Sequence, residues 1–109
     1  VKGVGFEYLN NLEIIKNLLD DICIKYRLHV IHKQEKEFKP HGITMAYMLA
    51  ESHLTIHTWP EFGKCCLDLY TCGKFQWYLK NNDTLATIIS KNFRIDKDKI
   101  TVNCVDRIF

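Results

Sequence analysis

The sequence predicts an α+β fold, a two-layer sandwich in which helices cover one face of a mainly antiparallel sheet. Two observations lead to this prediction. Strand-like runs follow one another through the middle of the chain with hairpin-type turns between them, whereas helical periodicity is confined to one segment on each side. The chain has 109 residues and no linker-like stretch, so we treat residues 1–109 as one domain.

The N-terminal part is predicted to contain one helix between two strands. Residues 1–9 indicate a weak strand, because two glycines dilute the apolar pattern. Asn10 or Asn11 then caps a helix that extends to about Tyr26. Residues 28–37 carry a strand in their first half. The helix is identified by apolar side chains at helical spacing: Leu12, Ile15, Leu18, Leu19, Ile22 and Tyr26.

Turn signals at residues 39–42 and 60–63 divide the middle of the chain into three further strands. These strands are predicted at residues 43–51, 52–59 and 64–72, and the first two follow each other with almost no break. Short connections of this kind join antiparallel neighbours, because a parallel crossover needs a dozen or more residues.

The C-terminal part is predicted to add one short helix and one strand. Asp83 is a suitable N-cap for a helix that extends to about Asn92. A last strand over about residues 99–107 completes the sheet.

The charge balance argues against two classes of partner. Fifteen Lys and Arg residues against thirteen Asp and Glu leave a net charge of +2, which gives no electrostatic case for nucleic acid or an anionic membrane. The longest mostly apolar stretch, residues 43–50, falls well short of the roughly 18 residues that indicate a spanning helix. The first residues show no signal-peptide pattern. We therefore expect neither nucleic acid nor a membrane as a partner.

The cysteines indicate a reducing compartment, which we take to be the cytoplasm. There are five of them, an odd number, with no CxxC pair and no spacing typical of a zinc site. Apart from Cys72, we expect them to be small buried side chains. His53, His57 and Cys66 lie on predicted neighbouring strands, but no fourth ligand stands at a suitable spacing. The sequence therefore predicts no metal site.

The second hairpin brings distant residues together. A four-residue loop at residues 60–63 pairs Trp59 with Lys64. Directly opposed side chains lie about 4.5–5.5 Å apart. Alternation along the second strand also places Cys72 on the more polar face, with Cys66. At the far end of the hairpin the predicted pairs, to within one residue of register, are Ser52 with Thr71 and Glu51 with Cys72.

Two sequence blocks carry a specific family resemblance. Residues 49–63 read LAESHLTIHTWPEFG, and residues 68–73 read DLYTCG. Together they closely resemble the core of prokaryotic-type S-adenosylmethionine decarboxylase proenzymes. The resemblance is clear over residues 38–73 and loose towards both ends, where only length and element order agree.

The resemblance implies a pyruvoyl cofactor that the chain makes from its own backbone, with neither pyridoxal phosphate nor metal. The Ser52 hydroxyl would attack the Glu51 carbonyl, and an N-to-O acyl shift would give an ester. A base, which the family supplies from the position of His57, would then remove the Ser52 α-proton. Elimination would release a β chain of residues 1–51. Hydrolysis of the remaining dehydroalanine would yield ammonia and a pyruvoyl group on an α chain of residues 52–109.

The resemblance also implies the roles of four further residues. The pyruvoyl ketone would hold the substrate amine as a Schiff base, and Cys72 would reprotonate the substrate carbon after carbon dioxide leaves; a thiol suits this acid role near neutral pH. Phe38 would stack on adenine, and Glu61 would accept hydrogen bonds from the ribose hydroxyls. Thr44 would support processing, although relatives usually have Ser there.

The implied activity is decarboxylation of S-adenosylmethionine, which supplies the aminopropyl donor for polyamine (spermidine) synthesis. The implied assembly is a homodimer of αβ protomers packed sheet to sheet in an αββα arrangement. Two alternatives remain open from the sequence. One is a decarboxylase of the same fold that acts on arginine or ornithine. The other is an uncleaved homologue with a regulatory or binding role and no enzymatic activity.

The spacing of Ser52 and His57 conflicts with direct cooperation between them. His57 lies five positions after Ser52, so a regular strand points the two side chains to opposite faces. Their cooperation therefore requires a bend or bulge in this strand, and we expect one there.

Overall fold

A computed structural model describes residues 1–50, 52–70 and 82–103 of the chain. It confirms the α+β prediction: four strands form an antiparallel sheet in the order β1-β2-β3-β4, and helices pack on one of its faces. The strands are β1 (Val30–Glu37), β2 (Ile43–Leu49), β3 (Ser52–Trp59) and β4 (Lys64–Tyr70). The helices are α1 (Phe6–Leu9), α2 (Leu12–Lys25) and α3 (Asn82–Phe93), with short 3-10 turns at Pro60–Phe62 and Lys97–Lys99.

Helix α2 forms where the sequence predicts it. The Asn11 side chain caps the helix by accepting a hydrogen bond from the Ile14 amide, and Tyr26 is the C-cap. Its apolar stripe faces the sheet. Buried on this stripe are Ile15, Leu18, Leu19, Ile22 and Tyr26, whereas Leu12 is half-buried at the first turn.

The predicted strand at residues 1–9 is wrong. Phe6–Leu9 forms a helical turn that buries Leu9, and the residues before it belong to no strand. The Val4 amide donates to the Gly63 carbonyl at 2.9 Å. Gly63 has a φ of +64°, and a Cβ there would lie 3.1 Å from the Val4 carbonyl oxygen, so this close contact favours glycine.

Strand β1 is longer than predicted. It extends over eight residues to Glu37, although its second half is almost entirely polar. An edge strand has one free side and tolerates charged residues that a central strand would exclude. Lys33, one of these charged residues, connects the edge strand to helix α2. Its Nζ pairs with Asp20 of α2 at 3.1 Å and lies 4.8 Å from the centroid of the Tyr47 ring.

The C-terminal predictions are partly correct. Helix α3 begins at Asn82, so Asp83 lies within the first turn instead of capping it, and its carboxylate pairs with Lys97 at 3.0 Å. Residues 99–103 form no strand, which corrects the described part of the predicted last strand. Residues 104–107, its remainder, lie outside the described residues.

A single core lies between the helices and the sheet. It combines the α2 stripe with apolar side chains from the inner faces of β2 and β3 and from α3. Thr58 is the one polar side chain buried among the described residues. Its hydroxyl donates to the Leu9 carbonyl and accepts from the Ile43 amide, each at 2.9 Å, and so joins α1 to the start of β2.

The opposite face of the sheet has no helix on it within the described part of the chain. Alternation along the strands places on this open face a mixture of polar and exposed apolar residues, including Met48 and Trp59, which are 56% and 40% exposed. Within residues 1–50, 52–70 and 82–103, none of the helices has both the length and the apolar character needed to cross a bilayer.

Candidate active site

The predicted register of the β3–β4 hairpin is confirmed. Trp59 pairs with Lys64, and the same register continues without a shift to His53 and Tyr70. The pairs predicted beyond that point, Ser52 with Thr71 and Glu51 with Cys72, involve residues outside the described ranges.

The two faces of β4 also follow the prediction, with one correction. Cys65 is buried, and its neighbour Cys66 points to the open face, where it is exposed. The expectation of buried cysteines therefore holds for Cys23 and Cys65 and is wrong for Cys66. Alternation puts Cys66 on the side of the sheet that the helices do not cover. Cys72 and Cys104 lie outside the described residues.

Ser52 is the first residue of β3, directly after a tight turn. It pairs with Leu49, so residues 50 and 51 alone connect β2 to β3. Ser52 is half-buried. Glu51 lies outside the described residues. The Glu51–Ser52 peptide bond therefore immediately precedes the first paired residue of β3.

At the other end of the same strand pair, Thr44 and His57 form a side-chain contact. The two residues are directly paired across β2 and β3, and Thr44 Oγ1 lies 2.9 Å from His57 Nδ1. Both side chains lie on the open face, and the Trp59 ring packs beside the imidazole with 6.3 Å between centroids. The hydroxyl therefore orients the imidazole and fixes which nitrogen is free to act on another group.

The expected bend between Ser52 and His57 is not present. Pairing with β2 runs without a register shift from His57 back to Ser52. Five residues of regular strand span roughly 16 Å, and an odd separation places the two side chains on opposite faces. Within one chain, His57 is therefore too far from Ser52 to remove its proton.

Phe38 and Glu61 lie on neighbouring loops at the Thr44 end of the sheet. Phe38 follows β1 and is 49% exposed, and Glu61 lies on the 3-10 turn between β3 and β4. The sequence analysis missed the contact between these loops: His41 Nε2 lies 2.8 Å from Glu61 Oε2. His41 lies within residues 38–73, where the family resemblance is clear, but residue spacing gives no sign that it reaches Glu61.

A second pair on the open face was also missed. His53 Nε2 lies 3.1 Å from Asp68 Oδ2, and the His53 and Tyr70 rings stack with 5.4 Å between centroids. The confirmed register brings these residues together, because His53 pairs with Tyr70 and lies diagonally opposite Asp68. Among the described residues, no group of three or more His, Cys, Asp or Glu side chains is arranged to hold a metal ion.

A cleft of about 360 Å³ opens on the helix side of the sheet, away from all of these residues. Its lining includes Lys16, Lys33 and Tyr47. The Tyr47 hydroxyl donates to Asp20 at 2.6 Å, and burial together with this bond raises the pKa of Tyr47 above its usual value. Lys33 also contacts Asp20, and no candidate site residue lines the cleft.

Comparisons with known proteins identify the family and the fold. The profile of the S-adenosylmethionine decarboxylase family matches residues 1–107. A relative named S-adenosylmethionine decarboxylase proenzyme from Thermodesulfovibrio yellowstonii is 45% identical over 74 residues, which is 68% of this chain and 55% of the relative. A proenzyme of the same name from Archaeoglobus fulgidus is 39% identical over 71 residues, 65% of this chain and 63% of the relative. The chain thus spans little more than half the length of these relatives.

Aquifex aeolicus provides both a sequence relative and a solved structure. Its S-adenosylmethionine decarboxylase proenzyme is 40% identical over 96 residues, which is 87% of this chain and 70% of the relative. The crystal structure of adenosylmethionine decarboxylase from the same organism superposes with a TM-score of 0.71 at 26% identity. That superposition covers 98% of this chain and 91% of the other.

Proposed function

The chain belongs to the S-adenosylmethionine decarboxylase family, and from this membership we propose that it is a self-processing decarboxylase of S-adenosylmethionine. The observation that carries the proposal is the Thr44–His57 contact on the strand pair whose turn contains the Glu51–Ser52 bond. The relatives do not favour the alternatives of an arginine or ornithine decarboxylase or an uncleaved binding protein.

We propose that Ser52 is the source of a pyruvoyl group. Ser52 fits this role because it is half-buried and immediately follows a two-residue turn, so its hydroxyl is beside the peptide bond that it would attack. A pyruvoyl group, once present, serves as an electron sink for the loss of carbon dioxide. No other side chain is needed to hold it, since it remains covalently part of the α chain.

We propose that the base for processing comes from a second subunit. His57 is roughly 16 Å from the Ser52 of its own chain by strand geometry and lies on the opposite face. The distance along β3 does not separate Ser52 from His57 of the partner subunit. We therefore propose a homodimer, with the open sheet faces packed together, in which the Thr44–His57 pair of one protomer serves the Ser52 of the other.

The exposed apolar side chains support this mode of association. Met48 and Trp59 are large and more than one-third exposed on the open face. They lie towards opposite ends of this face, because Met48 pairs with His53 and Trp59 lies six positions further along β3. A partner sheet packed over the whole face would bury both. Sheets that pack face to face typically lie about 10 Å apart, which brings side chains from both faces into contact.

Substrate recognition is assigned to the loops at the Thr44 end of the sheet. Phe38 offers an exposed aromatic face for adenine and the sulfonium cation. Glu61 offers a carboxylate that accepts hydrogen bonds from ribose hydroxyls. Cys72 is proposed as the acid that returns a proton to the substrate carbon. The free cysteines of the described residues suit a reducing compartment, and we propose that the enzyme works in the cytoplasm.

Two measurements on the purified wild-type protein test the proposal. Denaturing mass spectrometry is expected to show two chains, residues 1–51 and 52–109, with ammonia lost at the new N-terminus. Carbon dioxide release is then compared among S-adenosylmethionine, arginine and ornithine, each carboxyl-labelled and at equal concentration. An intact 12.9 kDa chain after prolonged incubation contradicts self-processing. Faster release from arginine or ornithine contradicts the proposed substrate.

A further inference from the structure

Two loops meet at one end of the sheet. The first, residues 38–42, joins β1 to β2 and is closed by a hydrogen bond from the Phe38 amide to the Gly42 carbonyl at 2.8 Å. The second contains Glu61 and joins β3 to β4. They pack closely, because a Cβ on Gly42 would lie 3.4 Å from the Thr58 carbonyl oxygen and 4.0 Å from Pro60.

His41 joins the two loops through its side chain. Its Nε2 lies 2.8 Å from Glu61 Oε2, and its side chain is 24% exposed against 40% for Glu61. The edge of the Phe6 ring packs against the imidazole with 5.4 Å between centroids. His41 is thus the more enclosed partner, packed against helix α1 on one side, and Glu61 is the more exposed one.

The contact with His41 favours the ionised form of the Glu61 carboxylate. Partial desolvation raises the pKa of Glu61, but a hydrogen bond from its own backbone amide, together with the hydrogen bond and charge of His41, outweighs it and lowers the pKa overall. Glu61 therefore remains a charged acceptor at neutral pH. A carboxylate has about four acceptor positions, so the bond from His41 leaves capacity for a ligand diol.

We propose that His41 is a positioning residue, which holds the Glu61 carboxylate in the orientation that accepts the two hydroxyls of a ribose. The inference rests on the proposed function and extends it to a residue that has no assigned role. An unrestrained Glu on an exposed turn must lose side-chain freedom when it binds a ligand. The bond from His41 removes that freedom beforehand, and the same bond fixes Glu61 relative to the loop that carries Phe38.

The test uses two ligands and five variants. Adenosine contains the base and the ribose diol without the amino acid, so calorimetric titration with adenosine measures recognition independently of catalysis. S-Adenosylmethionine decarboxylation provides KM and kcat. The variants are His41→Ala, His41→Gln, Glu61→Ala, the double variant His41→Ala/Glu61→Ala, and the control His29→Ala, an exposed histidine outside these loops. Thermal melts of all five verify folding.

His41→Ala is expected to weaken adenosine binding and raise KM by roughly three- to tenfold, the range of one hydrogen bond, with little change in kcat. His41→Gln keeps an N–H donor and is expected to restore most of the affinity. Because His41 acts through Glu61, the double variant is expected to bind no more weakly than Glu61→Ala alone. His29→Ala is expected to resemble the wild type.

Equal affinity of His41→Ala and the wild type for adenosine would overturn the inference. Independent, additive losses from His41→Ala and Glu61→Ala would overturn it as well, and so would the absence of any adenosine binding. Failure of the proposed function gives a different result: the wild type then releases no carbon dioxide from S-adenosylmethionine, while adenosine binding still depends on His41 and supports the inference.

Discussion

Thr44 and His57 face each other across β2 and β3, with 2.9 Å between the hydroxyl oxygen and Nδ1. This contact holds the imidazole at Nδ1, and no described residue forms a hydrogen bond with Nε2. A base that must reach a backbone proton gains from such orientation, because a misdirected imidazole spends little time in the reactive geometry.

The first prediction concerns this contact. Thr44→Val keeps the shape of the side chain but removes the hydroxyl, and we expect self-cleavage to slow by roughly two- to tenfold, the range of one neutral hydrogen bond. Thr44→Ser keeps the hydroxyl and is expected to cleave at least as fast as the wild type. The measurement is the fraction of cleaved chain against time by denaturing mass spectrometry. Equal rates for Thr44→Val and the wild type would remove Thr44 from the processing site.

The second prediction tests whether His57 acts across the dimer. Ser52→Ala and His57→Ala are each expected to remain uncleaved when expressed alone. When both are expressed together with different tags, random pairing places about half of the His57→Ala chains in mixed dimers. There, His57 of the partner subunit faces an intact Ser52, and we expect those chains to be cleaved.

The tags identify which chain is cut. Cleavage confined to the His57→Ala chain supports action between subunits, whereas two intact chains would mean that His57 serves the Ser52 of its own chain. As a control, Thr87→Ala removes a hydroxyl that bonds the Asp83 carbonyl on α3, and it is expected to cleave normally.

The third prediction separates cleavage from turnover. Cys72→Ala is expected to self-cleave but to decarboxylate more slowly by about 10²–10⁴-fold, the usual contribution of a general acid. Protonation at the wrong carbon is expected to increase, and it would leave an alanine at the N-terminus of the α chain, detectable by mass. Cys66→Ala, which changes an exposed thiol opposite His57, is the matched control. Loss of decarboxylation in Cys66→Ala together with normal turnover in Cys72→Ala would reverse the assignment.

The fourth prediction concerns stability. Thr58→Val leaves the Leu9 carbonyl and the Ile43 amide without their buried partner, and we expect the free energy of unfolding to fall by about 1–3 kcal/mol. The uncleaved Ser52→Ala background keeps the chain intact for urea denaturation. Thr101→Val, at an exposed position, is expected to change stability by less than about 0.5 kcal/mol. A Thr58→Val effect as small as that of Thr101→Val would contradict the structural role.

The sequence predicts the features that depend on local periodicity and turn length. The α2 stripe repeats at helical spacing, and the four-residue loop at residues 60–63 determines every described pair from Trp59 to His53. The features that were mispredicted depend on tertiary context. The polar half of β1 is a strand because it pairs with β2 at an edge. The first residues form no strand, and the amides of Lys2 and Val4 donate instead to the carbonyls of Lys99 and Gly63.

The candidate site likewise has features that the sequence predicted and features that depend on tertiary context. The family motif identified Ser52 and His57, and alternation correctly placed them on opposite strand faces. The expected bend was wrong because β3 pairs with β2 in one unbroken register from Ser52 to His57, and strand alternation alone does not reveal whether a strand is bent. The His41–Glu61 contact was missed because it joins two loops twenty positions apart, and neither periodicity nor motif spacing reports loop packing.

The proposed cut between β2 and β3 would impose an order of events on maturation. Residues 1–51 contain α1, α2, β1 and β2, and the remainder contains β3, β4 and α3, yet the core draws side chains from both parts. Neither part alone can bury its apolar surface, so folding of the whole chain has to precede the cut. After the cut, pairing of β2 with β3 and the shared core hold two separate polypeptides together. If the cleaved protein is fully denatured, its two chains must find each other again, so refolding depends on protein concentration. The uncleaved precursor folds from one continuous chain, so the folding of each protomer does not.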